Sequence, residues 1–86
     1  MPTISRFLGI IITMYFDEHN PPHFHAKYNE HKAVFLIKDL TVESGSLPAK
    51  VESLVKEWAE EHQEELLENC ELALNGEQPK KIKPLV

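Results

Sequence analysis

Between residues 19 and 25 the chain reads His19-Asn20-Pro21-Pro22-His23-Phe24-His25, which places three imidazoles in one short stretch. His23 and His25 are separated by one residue, so in an extended backbone both rings project from the same face. His19 precedes them in a loop stiffened by Pro21-Pro22, from which it could swing back toward the pair. Three neutral imidazoles converging on one point, with a coordination position left open, make a zinc-type divalent metal site. No cysteine or carboxylate ligand is fixed by spacing, and the plainer alternative is that these histidines hydrogen-bond the loop backbone.

The elements that would position these rings supply a second chemistry. From His23 to Tyr28 the residues alternate, with Phe24, Ala26 and Tyr28 on one face and His23, His25 and Lys27 on the other. Asn29-Glu30 reads as a two-residue turn, because Asn tolerates positive φ, and residues 32–38 form the returning strand. That register sets Tyr28 opposite His31, Lys27 opposite Lys32, His25 opposite Val34 and His23 opposite Leu36. Two lysines side by side cost stability unless an anion sits between them. The patch His23, His25, Lys27 and Lys32 therefore suits phosphate. An imidazole titrating near neutrality could add acid–base catalysis of phosphodiester cleavage through an RNA 2′-hydroxyl. Against this stands the reading in which the lysines simply splay into water.

The remaining elements give the fold class. Residues 10–16, Ile-Ile-Ile-Thr-Met-Tyr-Phe, are β-branched or aromatic and apolar almost throughout, as in an interior strand covered on both faces. Residues 40–45 read as a short edge strand. From Pro48 the period changes: Val51, Leu54, Val55, Trp58, His62, Leu66, Cys70 and Ala73 recur at helical spacing, and Asn75-Gly76 is a stop signal. About 28 residues is long for one helix in a small domain, which favours two helices broken near His62. The expected architecture is α+β: an antiparallel three- or four-stranded β-meander followed by one long or two shorter C-terminal α-helices packed on one face. Trp58 is its expected anchor, with Phe24 and Phe35 as partners. Residues 1–76 form a single domain, and 77–86 an extended Pro/Lys tail whose Ile82 and Leu85 could dock on it.

Composition narrows the function classes. A chain of 86 residues has room for one core, burying only about 60–65% of the surface exposed when unfolded. A homodimer would supplement so small a core. Cys70 is the single cysteine, which excludes an internal disulfide and favours the cytoplasm. The apolar run of residues 7–14 is too short to span a bilayer and reads as a buried strand, so no membrane association is expected. The net charge of −5 is uneven: −1 over residues 1–47, −6 over 48–75 and +2 over 76–86. An acidic protein is a poor non-specific nucleic-acid binder. RNA would have to meet the N-terminal half or the lysine tail. The glutamates of residues 52–71 read as a solvated helix face. No nucleophilic triad, phosphate-binding glycine loop or carboxylate pair is visible.

Several stretches carry a family resemblance. They are the opening Met1-Pro2-Thr3-Ile4-Ser5-Arg6-Phe7, the Gly9-Ile10-Ile11-Ile12 segment and the Asp17-Glu18-His19-Asn20-Pro21-Pro22-His23-Phe24-His25 box. Glu57-Trp58 and Glu64-Glu65-Leu66-Leu67-Glu68-Asn69 complete the set. Together they resemble the small bacterial family named domain of unknown function 4160, over essentially the whole chain. Cys70 departs from the aromatic expected after Glu68-Asn69, which touches only local packing. The resemblance implies a bacterial, cytoplasmic protein encoded beside a second small protein, in an arrangement like a toxin–antitoxin module, and it carries over no catalytic residues.

Two functional readings follow from the residues and this context together. In the first, the chain is one component of such a module acting on RNA or another phosphate-bearing ligand. His23 and His25 do the acid–base work, Lys27 and Lys32 hold phosphate, and no cofactor is needed. In the second it is a non-enzymatic module that binds a divalent metal through His19, His23 and His25, or binds a protein partner.

Overall fold

Leu8 and Gly9 both take positive φ, at 50° and 80°, and this folds the N-terminal apolar run back on itself. Two left-handed residues make the tight turn whose twist matches paired strands. A hairpin results, β1 (Thr3–Phe7) and β2 (Ile10–Thr13), in which Phe7 pairs with Ile10 and Arg6 with Ile11. The computed structural model describes residues 3–14 and 21–85. Strand β3 (His23–Tyr28) follows, then the Asn29-Glu30 turn with Asn29 at φ 54°, then β4 (His31–Leu36) and β5 (Val42–Gly45). All neighbours are antiparallel, and the sheet order is β1-β2-β3-β4-β5.

The fold is thus the expected α+β meander with C-terminal helices, but its sheet has five strands rather than three or four. The additional strand is β1. The expected strand over residues 10–16 ends at Thr13, and Tyr15 and Phe16 lie outside the described residues. Residues 40–45 do form the far edge strand, beginning at Val42 after a turn in which Leu40 takes φ 57°.

One face of the sheet carries the core. Phe7, Ile10, Ile12, Phe24, Ala26, Ala33 and Phe35 are buried there with Ile4 and Ile37. Helices α1 (Ala49–Glu61) and α2 (Gln63–Leu74) meet at His62, where the expected break falls. Trp58 of α1 is fully buried, with ring centroids 5.6 Å from Phe7 and 5.9 Å from Phe24. Phe24 in turn stacks on Phe35 at 5.2 Å. Burying an aromatic of this size stabilises by about 3 kcal/mol or more, so this cluster is the main anchor of helix to sheet. Gly76 at φ 77° closes α2: its N–H donates to Ala73 and that of Glu77 to Leu72, the paired bonds of a glycine helix stop.

Residues 77–85 form no regular element but are tied down. Asn69, buried in α2, holds Lys80 by two bonds: its Nδ2 donates to the Lys80 carbonyl at 2.7 Å and its Oδ1 accepts from the Lys80 N–H at 2.9 Å. The Ile82 N–H donates to the Ile4 carbonyl at 2.7 Å, and Trp58 Nε1 to the Lys83 carbonyl at 2.9 Å. Ile82 is buried. The segment therefore closes the core beside β1, one of the two sheet edges.

Candidate functional site

The face of the sheet turned away from the core is built row by row from strand register. In an antiparallel sheet, residues directly opposite project from the same side. The pairings Arg6↔Ile11, Ile11↔Lys27 and Lys27↔Lys32 put Arg6, Ile11, Lys27 and Lys32 in one row across four strands. A second row runs Thr3, Thr13, His25, Val34 and Ser44. A third holds His23 and Leu36. The register expected between residues 23 and 36 is the one observed, at all four pairs.

These rows line a cavity of about 470 Å³ that includes Arg6, Ile11, His25, Lys27, Lys32 and Val34. None of the described residues that line it is a carboxylate. Among the described residues, no acidic group lies within ion-pair distance of Arg6, Lys27 or Lys32. A cluster of cations with half-buried Ile11 and Val34 between them therefore presents both positive potential and apolar surface. Such a site favours a ligand carrying anionic groups on a partly apolar body.

The histidines stand at one end of this face. The rings of His23 and His25 are 5.4 Å apart between centroids and roughly edge to face. His23 Nδ1 lies 2.8 Å from the Pro21 carbonyl oxygen. A carbonyl only accepts, so Nδ1 carries the hydrogen and the neutral ring keeps its basic lone pair on Nε2. The Pro22 carbonyl accepts from the Ile37 N–H at 3.1 Å, continuing the β3–β4 ladder past the last strand pair. The two prolines thus carry the backbone acceptors that anchor the box, and Phe24 belongs to the core. His19 lies outside the described residues. Among the described residues no group of three metal-binding side chains converges.

Lys32 is held by the neighbouring edge strand. Gly45, at φ 76°, lets β5 approach so closely that a Cβ there would sit 2.2 Å from the Lys32 carbonyl, which also accepts from the Ser46 N–H at 3.0 Å. Arg6 was not a candidate from sequence. Its place in the lysine row depends on β1 being a strand, and Thr3-Ile4-Ser5-Arg6-Phe7 gives no clean alternation to signal one: Ser5 and Arg6 are adjacent polar residues, and the register shifts between Thr3 and Ser5.

No helix is long and apolar enough to cross a membrane among the described residues. No curated protein and no solved structure matches the chain. A family match does exist over residues 9–71, spanning the box, the Lys27–Lys32 hairpin and most of both helices. The chain belongs to the family described as Domain of unknown function (DUF4160).

Proposed function

We propose that the chain acts on RNA through the open sheet face, as one component of a toxin–antitoxin-like pair. Lys27 and Lys32 hold a phosphate, and His23 and His25 exchange protons with the ribose and the leaving oxygen. The observation that carries this reading is the like-charged cross-strand pair, Lys27 opposite Lys32, with Arg6 in the same row and no carboxylate among the described residues that line the cavity. Like charges directly opposite cost stability, and a bound phosphodiester reverses that cost.

The chemistry requires two groups. One imidazole removes the 2′-hydroxyl proton as O2′ attacks phosphorus, and the other, protonated, gives its proton to O5′ as the P–O5′ bond breaks. The products are a 2′,3′-cyclic phosphate and a 5′-hydroxyl end. The 5.4 Å between ring centroids lets the pair reach one phosphodiester, and the lysines offset charge on its non-bridging oxygens. Purified protein is expected to cut RNA to cyclic-phosphate ends, and the His23→Ala/His25→Ala variant to lose cleavage and growth arrest on expression. Intact RNA together with growth arrest by that variant would overturn this role for the box.

A specific contact favours a second reading. A ring held at Nδ1 by a backbone carbonyl is also how proteins orient a metal-ligating histidine through Nε2. In this version His19, His23 and His25 hold a zinc-type ion. Metal analysis of untagged protein decides it: near-zero stoichiometry with no thermal shift on adding zinc removes the metal.

A further inference from the structure

A second cavity, of about 510 Å³, lies between β1 and the C-terminal segment and is lined by Thr3, Arg6, Lys81 and Lys83 among others. It shares Thr3 and Arg6 with the cavity on the sheet face. We infer that the two are one continuous cationic track, Lys32–Lys27–Arg6–Lys81/Lys83, that binds a single-stranded RNA backbone running across the strands. This inference rests on the RNA reading of the sheet face and extends it.

The C-terminal segment is built to present those lysines. The bonds from Asn69 to Lys80, Ile82 to Ile4 and Trp58 to Lys83 are all made to its backbone, and Ile82 is turned into the core. Lys81 and Lys83 flank Ile82 and are exposed in the cavity wall beside Arg6. Lys80 is set apart, 3.9 Å from Glu68 on α2, and does not line the cavity. Among the described residues, no carboxylate lines either cavity.

Charge and apolar content select the occupant. Residues 76–86 carry a net charge of +2, whereas the glutamates of α1 and α2 lie on the helical layer. A polyanion is therefore attracted to one side of the molecule only. Across that side the strands from β4 to β1 span about 14 Å, three inter-strand spacings. Half-buried Ile11 and Val34 lie among the cations. A duplex hides its base faces, while a single strand offers phosphates and apolar base faces together.

The test is the salt dependence of binding of a fluorescent oligouridine to the full chain. For single strands, log K falls with log salt by about 0.7 per phosphate neutralised. Lys81→Ala/Lys83→Ala is expected to lower the slope by about 1.4, and Lys27→Ala/Lys32→Ala by a similar amount. These side chains are exposed, so the melting temperature should hold for Lys81→Ala/Lys83→Ala and rise slightly for Lys27→Ala/Lys32→Ala, which removes the opposed like charges. An RNA duplex of equal phosphate count is expected to compete poorly. A Lys81/Lys83 slope equal to wild type, with the Lys27/Lys32 slope reduced, overturns the track and leaves the sheet-face reading standing. Absence of oligouridine binding by wild type overturns both. Equal competition by the duplex, or binding of a poly-glutamate peptide in place of RNA, overturns the single-strand assignment.

Discussion

Because the Pro21 carbonyl fixes the hydrogen on His23 Nδ1, substitutions there can separate folding from chemistry. The side-chain amide of asparagine can reproduce the Nδ1 donor but has no group at the Nε2 position. His23→Asn is therefore expected to keep the wild-type melting temperature and lose about 10²-fold or more in RNA cleavage, the usual worth of an acid–base group. Loss of cleavage accompanied by unfolding would assign the ring to structure instead. Gly45 carries an opposite expectation. A methyl group at Gly45 would meet the Lys32 carbonyl at 2.2 Å in a left-handed backbone, so Gly45→Ala should cost more than ~1 kcal/mol in chemical denaturation. At this scale the sequence was informative where side chains alternate: His23, His25, Lys27 and Lys32 fall on one face as their spacing requires.

The hairpins explain what was and was not legible. The β3–β4 pair announces itself through an alternating strand and an asparagine that accepts φ 54°. The β1–β2 pair does not, because leucine in the left-handed region is strained and Leu8-Gly9 carries no turn signature. The run of apolar residues therefore reads as one strand, and Arg6 is lost from the site. Replacing Leu8 by asparagine relieves the strain and gives the turn its preferred pair. Leu8→Asn should stabilise by ~1 kcal/mol, read as a raised denaturation midpoint at unchanged slope. The grip of α2 on residue 80 was illegible for another reason. It is a contact between a buried amide and a distant backbone, which no local period encodes. Asn69→Ala removes both bonds and should cost about 1–3 kcal/mol, with earlier proteolytic cutting after residue 76 as the second readout.

At the scale of the whole molecule, the helices supply the negative charge and the sheet face the positive, so the net charge of −5 conceals a polarised surface. The stability behind it is modest. A chain of this length typically unfolds at a cost of about 4–13 kcal/mol, and Trp58→Ala alone should remove about 3–5 of these. That variant is expected to melt roughly 12 °C or more below the wild type by circular dichroism. Trp58 has one more consequence. It is the sole tryptophan, and its indole N–H is bonded to Lys83 inside the core. The protein thus carries an intrinsic optical probe: detachment of the C-terminal residues would wet the indole and shift its emission to the red, so the docking of that segment can be followed in real time without a label.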